Sequence, residues 1–212
     1  MTEATMSHAA SSPHTPQVFE ESPFSIPSKK LAMWLFIVAD AATFAACLVA
    51  YGFLRNGSLN WPTPFKFFPT IVNAMVMTFI LISSSLTMFL GVRDAKLGNR
   101  SGAFRWTVIT AVGGIVFALL HLREWMGLIH EGVGMFHNPW GNDLFGASFF
   151  TITGLHLTHV TIGVIVLLVV AMRYKSGRFQ ADDLEITGLY WHFVDLVWMF
   201  VVPLIYLLNV SK

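Results

Sequence analysis

The sequence predicts an all-α membrane protein, a bundle of five transmembrane helices with the N-terminus in the cytoplasm and the C-terminus on the outer, periplasmic side. Of its 212 residues, 55% are hydrophobic and 12% are charged, and the mean hydropathy is +0.63. A soluble domain carries about 25% charged residues. Five apolar segments predict the spans, and basic residues that alternate between the connections predict their direction.

The five predicted spans leave no room for a large soluble domain, because each approaches the roughly 20 residues that a helix needs to cross a bilayer. They cover residues 31–54, 68–91, 106–130, 146–172 and 190–209. Lipid offers no hydrogen bonds, so runs of this length satisfy their backbone amides as helices. Residues 29–212 are predicted to form one transmembrane domain, and residues 1–28 a disordered cytoplasmic tail.

Basic residues predict the orientation, since positive charge favours the cytoplasmic side of a membrane. Nine of them surround the chain start and the second and fourth connections: Lys29, Lys30, Arg93, Lys96, Arg100, Arg105, Arg173, Lys175 and Arg178. The first and third connections and the C-terminus carry only Arg55, Lys66 and Lys212. An even number of spans would remove this alternation.

Aromatic and small residues add two expectations about packing. Trp191, near the start of the fifth span, is expected at the membrane interface, where amphipathic rings are favoured. Gly154 and Gly163 make the fourth span rich in small residues, which indicates close packing against another helix.

Composition excludes several classes of site. The near balance of 13 Lys plus Arg against 12 Asp plus Glu removes the electrostatic argument for a nucleic-acid partner. The single cysteine, Cys47, excludes a disulfide or a thiolate metal centre within one chain.

Ionisable side chains nevertheless stand inside the predicted spans, where each costs about 2.5–3.5 kcal/mol on insertion scales. They are Asp40 in the first span, His121, Arg123 and Glu124 in the third, His156 and His159 in the fourth, and His192 and Asp195 in the fifth. For Asp40, two interpretations stay open. It is either a proton-exchanging or lipid-facing acid, or an acid hydrogen-bonded to a neighbouring helix.

The paired positions favour structural roles. His121 and Glu124 share one helix face, which favours bracing over proton or lipid handling. His192 and Asp195 also share a face, so the carboxylate is expected to orient the imidazole. His156 and His159 could supply nitrogens to one metal. Packing and interhelical hydrogen bonds are favoured, because haem ligands normally come from different helices.

Two segments carry a resemblance to a known family. The run from Tyr190 to Trp198, YWHFVDLVW, together with GLHLTHV at 154–160, closely resembles subunit III of the haem-copper oxidases, which include cytochrome c oxidases and quinol oxidases. Asp40 stands where this family carries an acid in mid-helix, and Glu124 matches a family Glu. Glu185 precedes His192 by seven residues, as is common there. Five spans resemble the shorter, bacterial form, which lacks two N-terminal helices.

The resemblance implies an accessory chain of a proton-translocating terminal oxidase that reduces dioxygen to water. Such a chain binds no haem or copper, which belong to subunits I and II, and contains no catalytic residue, cofactor-binding residue or metal ligand. It packs on subunit I in the bacterial inner membrane and supports stability, lipid binding and proton uptake. Other oxidase subunits, membrane lipids and a larger respiratory supercomplex are the partners that the family allows for. A cytochrome c oxidase is favoured over a quinol oxidase.

The resemblance also implies roles for the site residues. Asp40 and Glu124 would be buried acids held by hydrogen bonds from helices or lipid. The remaining polar residues of the last two spans would tie those two helices together: His156, His159, His192 and Asp195.

Three alternatives stay open at this point. A subunit-III-like partner of a nitric oxide reductase would share the motifs. A b-type cytochrome would pair His156 or His159 with His121 or His192. A proton-coupled transporter would use Asp40 and Glu124.

Overall fold

The computed structural model describes residues 27–211 as five long helices with short connections. The helices are α1 (Ser28–Gly57), α2 (Val72–Lys96), α3 (Arg100–His130), α4 (Asp143–Lys175) and α5 (Ala181–Val201). A π-helical turn, Phe67–Ile71, leads into α2, and the turns Val202–Tyr206 and Leu207–Asn209 extend α5. All five are long and apolar enough to cross a membrane, which confirms the predicted architecture. The predicted tail up to residue 26 lies outside the described residues.

The helices extend beyond the predicted spans, most of all at the start of α5. Helix α5 begins at Ala181 rather than near residue 190, because hydropathy marks only the apolar part of a helix. Its first turn is polar and is capped: the backbone N–H of Gln180 donates to Asp183 Oδ2 at 3.0 Å. Acidic side chains at a helix N-terminus also interact favourably with the helix dipole. The additional turns are therefore stabilised by their cap and by the helix dipole.

Four of the helices form a closed ring, and α1 lies outside it. Helix α2 packs against α3, α3 against α4, α4 against α5, and α5 against α2. Helix α1 packs only on the α4 and α5 side of this ring. It buries Ile37, Phe44 and Tyr51, one residue every two turns, so its contact with the ring is a narrow stripe.

Trp191 of α5 fills the centre of the ring. Its indole N–H donates to Ser84 Oγ of α2 at 3.0 Å, and the indole is completely buried. Glycines on the two other helices make room for it, because a Cβ added at Gly114 or Gly163 would come within 2.5 Å or 3.0 Å of the indole. The expectation that Trp191 lies at the interface is wrong, since its N–H finds an acceptor inside the bundle.

Hydrogen bonds to α2 continue along α5 and form what we call the α2–α5 seam. Besides the Trp191 bond, His192 Nδ1 lies 2.5 Å from Ser85 Oγ, and Trp198 Nε1 donates to Thr78 Oγ1 at 3.1 Å. The seam consists of Thr78, Ser84 and Ser85 on α2 and Trp191, His192 and Trp198 on α5. Lipid tails are as apolar as leucine, so packing and such hydrogen bonds are what drive helices together in a membrane.

Ion pairs bring the start of α1, the end of α2 and the start of α5 to the same end of the bundle. Lys30 Nζ and Lys96 Nζ lie 2.7 Å and 2.8 Å from the Glu185 carboxylate, and Lys29 Nζ lies 3.1 Å from Asp183. The hydrogen bonds from Lys30 and Lys96 lower the pKa of the Glu185 carboxyl, which precedes the apolar part of α5. Assignment of this end to the cytoplasm stays a prediction.

The steric role of Trp191 can be tested by adding one methyl group. We expect Gly114→Ala to destabilise the protein by about 1–3 kcal/mol, because the new Cβ overpacks the ring centre. Gly52→Ala on α1 is the matched control. Its Cβ meets no atom within 4 Å, so stability should be unchanged or up to about 1 kcal/mol higher. Thermal unfolding in detergent measures both variants. Equal melting temperatures would contradict the close packing of Trp191 against Gly114.

Candidate functional site

A hydrogen-bonded acid and imidazole join α1 to α4. His159 Nε2 lies 3.1 Å from Asp40 Oδ2, and the two side chains are 15% and 20% exposed. The other ring nitrogen, Nδ1, lies 2.8 Å from the Leu155 carbonyl one turn earlier on α4. The Phe44 ring meets the imidazole edge-on at 5.2 Å, and the Tyr190 hydroxyl donates to the His159 carbonyl at 3.1 Å. The pair therefore lies where α1, α4 and α5 meet.

Both ring nitrogens of His159 are engaged. Nδ1 lies against the Leu155 carbonyl, which can only accept, and Nε2 lies against Asp40 Oδ2. The imidazole is thereby held between its own helix and α1 at the edge of the bundle.

Glu124 of α3 is held by a residue that the sequence did not single out. Tyr206, in the turn after α5, donates its hydroxyl to Glu124 Oε2 at 2.8 Å. Nδ1 of His121 lies 3.5 Å from the same oxygen. The Glu124 side chain is only 7% exposed, and its Oε1 has no hydrogen-bond partner among residues 27–211. Glu124 therefore connects α3 to the end of α5, as a bracing residue would.

Aromatic rings surround His156 and His121 in the core. The His156 ring stacks on Trp198 with centroids 5.0 Å apart, and Phe117 meets it edge-on at 5.6 Å. Phe117 and Trp198 also contact the His121 ring, at 5.8 Å and 5.5 Å. His156 is thus packed between the rings of Phe117 and Trp198. The expected hydrogen bonds are not found, since neither imidazole has a hydrogen-bond partner in the described part of the chain.

The expected pairing of His192 with Asp195 is wrong. His192 faces α2, where its Nδ1 contacts the Ser85 hydroxyl, and the Asp195 carboxylate makes no hydrogen bond to the imidazole. Of the four side chains expected to tie the last two helices together, only His156 does so, by stacking on Trp198. His159 bonds to α1 and His192 to α2, and the Tyr190 hydroxyl provides a second contact between α4 and α5.

Sequence reasoning missed the acceptors of these contacts. Ser84 and Ser85 belong to a run of three serines inside an otherwise apolar span, a signal that could have identified α2 as a polar partner. Within residues 27–211, no group of three or more His, Cys, Asp and Glu side chains could hold a metal ion.

These contacts explain why the run from Tyr190 to Trp198 is distinctive, since four of its side chains each bond to a different group on α2 or α4. The chain matches the family model described as cytochrome c oxidase subunit III over residues 20–210. It belongs to the cytochrome c oxidase subunit III family. The match begins nine residues before Lys29, so the family region starts inside the segment predicted as a tail.

Relatives of this subunit III chain carry two kinds of name. It is 30% identical over 184 residues to the quinol oxidase subunit 3 of Bacillus spizizenii, covering 85% of this chain and 87% of that one. It is 34% identical over 185 residues to the probable cytochrome c oxidase subunit 3 of Mycobacterium tuberculosis, covering 84% and 85%. It is 36% identical over 175 residues to the cytochrome c oxidase subunit 3 of Corynebacterium diphtheriae, covering 81% and 79%.

The bond between Tyr206 and Glu124 can be tested by a double-mutant cycle. We expect Tyr206→Phe to cost about 1–3 kcal/mol, because it leaves the buried Glu124 carboxylate without its donor. Glu124→Leu removes the oxygen that accepts from Tyr206. In this background Tyr206→Phe should cost less, with a coupling energy above roughly 0.5 kcal/mol in unfolding measurements. Purely additive costs would show that the two side chains do not interact.

Proposed function

We propose that this chain is the accessory, non-redox subunit III of a bacterial haem-copper terminal oxidase. The complex reduces dioxygen to water and moves protons across the inner membrane, with its haems and copper in subunits I and II. Residues 29–212 form the membrane domain, which packs on subunit I and supports its stability, its lipid binding and its proton uptake. The basic end of the bundle, with Lys29, Lys30 and Lys96, faces the cytoplasm.

The Asp40–His159 pair is the observation that carries this proposal. Its two side chains remain partly exposed where α1 meets the ring, 3.1 Å apart. We infer that they share one proton without net charge. A neutral pair lowers the cost of keeping ionisable groups in the membrane. Because the proton can lie on either partner, the pair can pass a proton on and take up another. This is the property that a chain assisting proton uptake needs.

The burial of two histidines favours an accessory subunit over a b-type cytochrome. The two fully buried histidines, His121 and His156, are enclosed by Phe117 and Trp198, so a haem between them would have to displace both aromatic rings. The oxidase names of the relatives likewise favour an oxidase over a nitric oxide reductase.

We propose cytochrome c as the electron donor, since relatives that are 34–36% identical to this chain are named cytochrome c oxidase subunit 3. Another relative with this name, in Alkalihalophilus pseudofirmus, is 29% identical, and the quinol oxidase relatives in Bacillus are 30% identical. The purified complex should therefore oxidise reduced cytochrome c, and oxidation of a quinol alone would overturn this assignment.

Two substitutions at Asp40 separate proton exchange from bracing. Asp40→Asn keeps an N–H that donates to His159 Nε2, so the stability should stay within about 0.5 kcal/mol, but the amide has no exchangeable acid proton. Asp40→Leu removes the bond and should cost about 1–3 kcal/mol. We expect both variants to slow oxygen reduction by the assembled complex, increasingly as the pH rises and protons become scarce.

Melting temperature and turnover are measured on the same complexes across pH. If Asp40→Asn turns over like the wild type at every pH while Asp40→Leu loses stability, the pair only braces α1 and the proton role fails. If Asp40→Asn and His159→Ala leave proton pumping, lipid content and subunit retention unchanged, the functional roles of both residues are abandoned.

A further inference from the structure

The two ends of α1 are attached to the bundle by different kinds of contact. At the Arg55 end the contacts are buried. Asn209 is completely buried and its amide donates to the hydroxyl of Tyr51, which is 2% exposed. The indole N–H of Trp61 donates to Asn209 Oδ1 at 3.0 Å, and Arg55 donates to the Leu208 carbonyl at 2.7 Å. Buried contacts of this kind are little screened by dissolved salt.

The Lys30 end of α1 is attached by exposed charges. The Glu185 carboxylate of α5 lies 2.7 Å from Lys30 Nζ and 2.8 Å from Lys96 Nζ of α2. Beside it, Lys29 Nζ lies 3.1 Å from Asp183. The side chains of Lys30, Lys96 and Lys29 are 34%, 54% and 78% exposed. Ion pairs with this much exposure weaken as the salt concentration rises.

Little apolar packing supports these ion pairs. Among residues 28–43 of α1, Ile37 is the one buried side chain. The Phe36 ring lies 6.0 Å from the Tyr190 ring but is 47% exposed. A cavity of about 90 Å³ lies between the beginnings of α1 and α5, and is lined by Pro27, Lys30, Asp182, Glu185 and Ile186. The charges therefore provide most of the attachment at this end.

Asp40 lies between the two ends, roughly 15 Å beyond Lys30 at 1.5 Å per residue. Its bond to His159 of α4 holds the middle of α1. Because α1 is one continuous helix, outward movement of its Lys30 end tilts it about the Arg55 end. Such a tilt lengthens the distance between Asp40 and His159.

We propose that Glu185, Lys30 and Lys96 form an electrostatic latch, and that α1 swings about its Arg55 end when salt screens this latch. Glu185 holds α1 through Lys30. Lys96 holds the same carboxylate to the ring, because it ends α2. The ionic strength at this end of the bundle thereby controls how closely Asp40 is held to His159.

Hydrogen–deuterium exchange of the oxidase complex in phosphatidylcholine nanodiscs tests the latch. Mass spectrometry of peptic peptides follows residues 28–43 and 44–57 separately. Exchange is compared at about 0.01 M and about 1 M salt, between which the Debye length falls from about 30 Å to about 3 Å. Lys30→Gln releases α1 from the latch. Lys96→Gln is the matched control, because it removes the same charge from the same carboxylate and leaves Lys30 in place.

We expect residues 28–43 of the wild type to exchange roughly fivefold faster at high salt, and residues 44–57 to be unchanged. Lys30→Gln should exchange fast at both salt concentrations, whereas Lys96→Gln should remain slow at low salt. Exchange in the wild type that does not respond to salt, or equal acceleration by the two substitutions, would overturn the latch. Equal acceleration of both halves of α1 would overturn the swing about the Arg55 end. The wild-type comparison needs no substitution, so it decides the matter even where a variant fails to assemble.

Discussion

The contact of Trp191 with Ser84 is the one on which the rest of the bundle depends. In lipid, apolar helices gain little by leaving their solvent, so a bundle needs close packing and internal hydrogen bonds. Trp191 supplies both: its indole N–H reaches α2, and its ring lies in the space that Gly114 leaves on α3 and Gly163 on α4. One side chain of α5 thereby contacts all three other helices of the ring. The remaining bonds of the α2–α5 seam extend this contact along the helix.

Helix α1 is attached differently, because only a narrow stripe of it packs on the ring. Polar contacts at three levels along its length hold it. Lys30 bonds to Glu185 at one end, Asp40 to His159 in the middle, and Arg55 donates to the Leu208 carbonyl at 2.7 Å at the other end. The two terminal contacts lie where charges can be hydrated. The middle contact lies within the apolar part of the helix, where the acid and the imidazole serve as each other's hydrogen-bond partners. The proposed proton function and the attachment of α1 thus depend on the same hydrogen bond.

The sequence predicted the five helices and the family, because hydropathy and a dense motif are local properties of the chain. It did not predict which helices meet. Spacing placed His192 and Asp195 on one face but could not reveal that Ser85 of α2 would occupy the imidazole. Asp40 and His159 are separated by 119 positions, so their pairing depends on the packing of the bundle. Trp191 was placed at the interface because hydropathy located the start of the fifth span too late, whereas α5 begins at Ala181.

The central claim is that this subunit III chain assists an oxygen-reducing centre that lies on another chain. The buried His156 is packed among aromatic rings, and the Asp40–His159 pair lies at the edge of the bundle. The most direct test is the haem content per subunit I of the oxidase complex prepared with and without this chain, measured by absorbance. The account predicts the same haem content in both preparations. Loss of one haem per complex when the chain is absent would contradict it.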